Sequence, residues 1–130
     1  MDPKPHGKPI LCLDFDGVIH SYKSGWQGVD QIPDPPVPGV FEWMANALHI
    51  FELHVYSSRS SEVAGRHAII SYISQYGGAM LANSLYYPTE KPRAFLTIDD
   101  RCARFDGNWL DPQFDPKILR EFMPWYRFQT

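Results

Sequence analysis

Two aspartates two positions apart, Asp14 and Asp16, close an apolar run and are followed at once by Gly17. A second acidic pair, Asp99 and Asp100, closes another apolar run much later in the chain, and between the pairs stand Ser57, at the end of LHVYS, and Lys91. These residue types suit phosphoryl chemistry. Magnesium takes oxygen ligands in octahedral geometry and keeps waters, so one or two carboxylates, a backbone carbonyl and a substrate phosphate are enough to hold it. Asp14 and Asp99 would supply the carboxylates, and Gly17 lets the chain close around the ion. An Asp14 carboxylate in line with phosphorus attacks only if cations cancel the repulsion between two anions, which makes Lys91 a charge neutraliser rather than a base. Asp16 can then protonate the leaving oxygen and later, as the carboxylate, activate the water that hydrolyses an aspartyl-phosphate. Ser57 can donate its hydroxyl, with a neighbouring backbone N–H, to a non-bridging phosphoryl oxygen.

Such a set works only if the elements that carry it end at one place. Ile10 to Phe15 (ILCLDF) reads as a buried strand, and Leu53 to Ser57 and Ala94 to Ile98 read as two more. A weaker strand is expected at Ala79 to Ala82. His20 to Pro38 holds four prolines and two glycines. That is too many breakers for a helix, so the stretch is a candidate substrate flap. Gly39 to Phe51 shows helical spacing of Val40, Met44, Ala47, Leu48 and Phe51. Ser61 is expected to cap a helix over Glu62 to Tyr76 that faces inward through Val63, His67, Ile70 and Ile73 or Ile69 and stops at Gly77 and Gly78. A turn at Asp106 and Gly107 and a short helix near Pro116 to Phe122 follow. Alternating strands and helices imply a parallel sheet, at whose carboxyl edge open α/β folds gather ligands.

Several neighbours compete for the same roles. Ser58 is an alternative to Ser57, and Arg93 to Lys91, although Lys91 lies eight residues before Asp99. Ser58, Arg59 and His20 are candidate substrate contacts; a solvated Arg59 and a structural, hydrogen-bonded His20 are the plainer readings. Arg101 is expected to pair with a nearby acid. Tyr22 and Trp26 could stack on a nucleobase or simply pin the long loop. His49, His54 and His67 show no ligand spacing.

The chain has 130 residues, enough for one α/β domain, with residues 1–9 expected as a flexible N-terminal tail. A net charge of −3 gives no broad footprint for extended duplex nucleic acid. No run of about 18 apolar residues and no secretory leader is seen, so no membrane partner is expected and the cytoplasm is the default compartment. Cys12 and Cys102 fit neither a disulfide framework nor a zinc site and read as free thiols.

In this order the motifs resemble those of the haloacid dehalogenase-like superfamily of phosphatases. LDFDGV is similar to the first motif, with Asp14 at the nucleophile and Asp16 at the acid/base position. HVYSS resembles the second through Ser57, Lys91 in EKPRAF the third, and LTIDDR the fourth in its deoxyribonucleotidase-like form. The resemblance spans Ile10 to Arg101. It implies a Rossmann-like three-layer α/β/α sandwich around a central parallel sheet, Mg²⁺ as cofactor, and metal ligands drawn from Asp14, the Asp16 carbonyl, and Asp99 or Asp100. Val18 stands where many members have Thr. Neither connection between the motifs has room for a cap domain, so a large substrate, such as a phosphorylated nucleic-acid end, or a second copy of the chain would have to cover the site. A nucleotide or another phosphorylated small molecule is the other substrate expectation. A receiver-like signalling module uses similar groups, but there the phosphoacceptor Asp sits on a later strand, where this chain has Ser57. An idle phosphate-binding protein on the same fold is disfavoured by the complete motif set.

Overall fold

The computed structural model describes residues 7–128. Most of the expected N-terminal tail lies outside the described residues. The chain runs β1 (Ile10–Leu13), α1 (Val40–Ala47), β2 (Glu52–Val55), α2 (Val63–Gly77), α3 (Ala79–Asn83), β3 (Leu96–Ile98) and α4 (Pro116–Arg120), with 3₁₀ turns at Pro112–Phe114 and Trp125–Phe128. The architecture is α/β with a three-stranded parallel sheet in the order β2-β1-β3.

β1 is central because both of its neighbours pair with it, and a strand covered on both sides must be apolar throughout. Leu11, Cys12 and Leu13 are accordingly buried. Leu13 stands level with Val55 on one side and Ile98 on the other, and the ladder continues past the strand ends through the Asp14 N–H to the Ile98 carbonyl (3.0 Å) and the Tyr56 N–H to the Leu13 carbonyl (3.0 Å). All three strands therefore deliver their next residues to one edge.

Below that edge Leu11, Leu13, Phe15, Ile19, Met44, Leu53, Val55, Ile69 and Ile73 form a continuous core. Full burial of one such side chain is worth about 2 kcal/mol. α1 contributes Met44 and Ala47 as its spacing predicts. Between α1 and β3, Leu13, Val18, Val37, Val40, Trp43 and Ile98 line an apolar hollow of about 350 Å³. No titratable side chain lines it.

Four local expectations are corrected. α2 turns Gly65, Ile69, Tyr72 and Ile73 inward, while Val63 and His67 are exposed. The inward stripe is set by Tyr72, whose hydroxyl donates to the Asp34 carbonyl (2.8 Å) and whose ring meets Phe15 edge-on. Ser61 does not cap α2; Glu62 holds the N-cap position without a side-chain bond. Residues 79–83 form a helix rather than a strand, and the outer side of β2 is met instead by Tyr86, which exchanges backbone bonds with Leu53 and Val55. The strand expected from Ala94 starts only at Leu96. Cys12 is buried and Cys102 exposed, both unpaired. Among the described residues no helix is long and apolar enough to cross a membrane.

Gly65 shows how α2 supports the site. A Cβ there would overlap the backbone carbonyl oxygen of Arg59, so only glycine lets the helix lie against the turn that follows β2. Alanine in a helix normally gains about 1 kcal/mol over glycine. Overlap with fixed backbone costs about 1–3 kcal/mol, and here the steric cost should win. Gly65→Ala is expected to lower the unfolding free energy by about 1–2 kcal/mol in urea denaturation; a stabilised variant would contradict this packing.

Candidate metal-and-phosphate site

Beyond Leu13 the chain turns sharply. The Phe15 carbonyl accepts from the N–H groups of Ile19 and His20, and the Gly17 N–H returns to the His20 carbonyl (2.8 Å). Gly17 has φ 84°, and a Cβ on it would collide with the Asp100 carboxylate and press on the Tyr126 ring. Its lack of a side chain is what brings the first and last acidic segments into contact. Trp125 donates its indole N–H to the Gly17 carbonyl (2.7 Å), so the C-terminal turn is fastened on the same loop.

Asp14, Asp99 and Asp100 come together: each offers a carboxylate oxygen, and these oxygens lie within 4.8 Å of one another. Asp14 Oδ1 accepts the Phe15 N–H (2.9 Å), and the Asp99 carboxylate accepts the Arg101 N–H (2.9 Å). Burial first, then a hydrogen bond shared with Asp100 and the nearby charges of Asp99 and Asp100, push the Asp14 carboxyl up to about 8. Two carboxylates can share such a bond only if one carries a proton, so the cluster calls for a cation or a proton to relieve it. Oxygen-only donors clustered this closely suit a hard divalent ion. The Asp16 carboxylate stands outside this group; the ligand expected from that residue is its backbone carbonyl.

Ser57 is buried, its hydroxyl oxygen accepting the Arg59 N–H (3.0 Å). Its hydroxyl proton remains to be donated. The Ser57 N–H is engaged by Ser60 Oγ (3.0 Å) and cannot serve a ligand; a backbone donor must come from exposed Ser58 instead. Asp14, Ser57, Ser58, Lys91 and Asp99 line one cavity of about 190 Å³, together with Cys12, Tyr56 and Thr97. Lys91 makes no ion pair among the described residues, and Arg93 is absent from the cavity wall. An adjoining cavity of about 170 Å³ reaches Asp16 and Asp100 and is walled by Tyr22, Trp26, Arg101 and Tyr126. Tyr22 sits at φ 60°, a strained conformation for a side chain of its size.

Two expected substrate contacts prove to be supports. His20 is fully buried. Its Nε2 accepts the Asp34 N–H (3.1 Å), which assigns the proton to Nδ1, and Nδ1 donates to Asp16 Oδ1 (2.8 Å). Arg59 has no exposed surface either, and its guanidinium binds Asp16 rather than pointing into solvent. Both lie behind Asp16 because burial of a carboxylate requires donors on its inner side. Arg101 joins the Tyr126 hydroxyl (3.0 Å) rather than an acid side chain.

Tyr126 and Trp125 were invisible to motif reading. An aromatic run after the last helix, MPWYRF, signals a segment that needs a surface to cover, but linear spacing says nothing about which surface.

A raised carboxyl pKa in the folded state adds stability below about pH 4, and that contribution fades as pH climbs toward about 8. Without divalent ions the urea midpoint should therefore drop between pH 4 and 8, and millimolar divalent cation should flatten the slope; a slope that ignores the cation would count against a metal at the Asp14 cluster. No family model, curated protein or solved structure matches this chain, so its geometry is what a functional reading stands on.

Proposed function

We propose that this chain is a Mg²⁺-dependent phosphomonoester hydrolase of the haloacid dehalogenase-like type, working through an aspartyl-phosphate on Asp14. The observation that carries the reading is one small cavity lined together by Asp14, Asp99, Ser57 and Lys91. Anionic oxygens gathered in one cavity with an ammonium and a hydroxyl suit a phosphoryl group held between a metal and two donors.

Mg²⁺ bound at Asp14, Asp99 and Asp100 would neutralise charge on the phosphoryl oxygens and lower the barrier to attack by an anion. Lys91 adds a second positive charge, and Ser57 donates its hydroxyl to a non-bridging oxygen. The Asp14 carboxylate forms a bond to phosphorus as the bond to the leaving oxygen breaks, and that oxygen takes a proton from Asp16. In the second half, Asp16 removes a proton from water, which attacks phosphorus; the bond to Asp14 breaks, releasing inorganic phosphate and restoring the carboxylate. The sheet is read as the centre of a three-layer sandwich without a cap, which leaves substrate size and the aromatic residues of the adjoining cavity to exclude water. Nucleotides and phosphorylated nucleic-acid ends are the substrate classes this reading favours. A second copy of the chain laid over it is the alternative cover.

Asp14→Asn is expected to reduce Mg²⁺-dependent hydrolysis of p-nitrophenyl phosphate by about a thousandfold or more while leaving the fold intact. Undiminished turnover in that variant would refute the nucleophile. A panel of nucleotides, sugar phosphates and 3′- or 5′-phosphorylated oligonucleotides, run with and without chelator, would rank the substrate classes.

A further inference from the structure

Arg59 is the largest fully buried side chain, and each nitrogen of its guanidinium is engaged. Nε donates to Asp16 Oδ2 (2.9 Å) and Nη2 to Asp16 Oδ1 (3.2 Å), a two-pronged grip on one carboxylate. Nη1 donates to the carbonyls of Gly28 (2.8 Å) and Val29 (2.9 Å) in the flap. The guanidinium carbon lies 4.6 Å from the centre of the Trp26 ring. The Arg59 backbone N–H holds the Ser57 hydroxyl oxygen. One residue thus touches the acid of the first motif, the hydroxyl of the second and the loop that walls the adjoining cavity.

Buried ion pairs are weak sources of stability, because desolvation offsets their attraction, so packing alone gives little reason for this arrangement. A guanidinium has what the position demands: a planar fork that fixes a carboxylate in one orientation while leaving a third nitrogen for other acceptors. Asp16 cannot turn about its side-chain bonds without breaking both prongs and the bond from His20. Trp26, half exposed, keeps one ring face on Arg59 and lines the cavity beside Asp14 and Asp16. Acids stranded beside an open mouth would let water compete with proton transfer, and the flap is the segment that narrows this mouth.

We infer that Arg59 is a positioning residue that aims Asp16 for proton transfer and, through Gly28, Val29 and Trp26, holds the flap against the site. The proton-transfer half of this inference rests on the phosphatase reading; the flap half stands without it.

The test is Arg59→Lys, which keeps the charge but cannot span both acceptors, with Arg59→Met as a second variant. Leaving-group release in a single turnover is compared for an alkyl phosphate, whose alkoxide needs a proton, and 2,4-dinitrophenyl phosphate, whose phenolate does not. The rate with the alkyl ester should fall about a hundredfold and that with the dinitrophenyl ester by less than about tenfold, with KM little changed. Equal losses on both esters would make Arg59 a mere structural staple and overturn the aiming role. Adding Arg59→Lys to Asp16→Asn should cost nothing further, whereas additive losses would show that Arg59 does not act through Asp16. For the flap, trypsin should cut after Lys23 about tenfold faster in Arg59→Lys than in the wild type, and an unchanged rate would overturn the tether. Wild-type protein inactive on every phosphate ester would sink the phosphatase reading and the aiming role with it, while the trypsin result would still decide the flap.

Discussion

The arrangement of this molecule follows from forcing like charges together. Parallel pairing sets Leu13 level with Ile98, so the residues that follow both strands, Asp14 on one and Asp99 and Asp100 on the other, must emerge side by side. Carboxylates that close repel strongly unless a proton or a cation intervenes. Partial burial raises the stakes, and with the neighbouring acids it pushes the Asp14 carboxyl up to about 8. A fold does not assemble such a cluster for its own stability. The strain is intelligible as preparation for a divalent ion, and the neighbouring hydroxyl and ammonium are where an anionic ligand of that ion would sit.

Asp16, only two residues from Asp14, is kept out of this cluster by its own set of donors. Arg59 and His20 satisfy its carboxylate from behind, and His20 is in turn fixed by the Asp34 N–H. Asp34 also binds the hydroxyl and N–H of Ser24, closing the flap into a small hydrogen-bonded ring. The long proline-rich connection is therefore tied at both the acid and the helix α2, through the Tyr72 hydroxyl. Two carboxylates separated by one residue are given different surroundings, one facing other acids and one facing cationic or polar donors.

A small chain has few elements with which to surround such a site, and this one uses its ends of strands and its last turn. Gly17 admits both the Asp100 carboxylate and the Tyr126 ring, and Trp125 locks the turn to the Gly17 carbonyl. Tyr22 packs edge-on against Tyr126, so the flap and the C-terminal segment meet across the opening. Between them they form the aromatic wall of the second cavity.

By itself the sequence determined the parts whose signal is local. Apolar runs ending in acids marked β1 and β3, the run ending in Ser57 marked β2, and the breakers from His20 to Pro38 marked the flap, because strand burial and backbone restriction are written in consecutive residues. The convergence of Asp14, Ser57, Lys91 and Asp99 was legible too, since parallel strands leave their next residues at one edge. Only the tertiary structure decided what depends on a partner distant in the chain. Periodicity placed Ile73 or Ile69 on the inner face of α2 together with Val63 and His67; both isoleucines are buried, but Tyr72, drawn to Asp34 and Phe15, joins them while Val63 and His67 stay exposed. Ala79 to Ala82 had no strong preference, and the edge of β2 was taken by Tyr86. His20 kept the structural, hydrogen-bonded role that was its plainer reading, whereas Arg59, read as a ligand contact or a solvated loop residue, is fully buried against the half-buried Asp16 carboxylate, a partner 43 residues away that local pattern does not reveal. Local pattern says what a segment can become; which face it turns and which group it serves are set by the charges and surfaces it meets after folding.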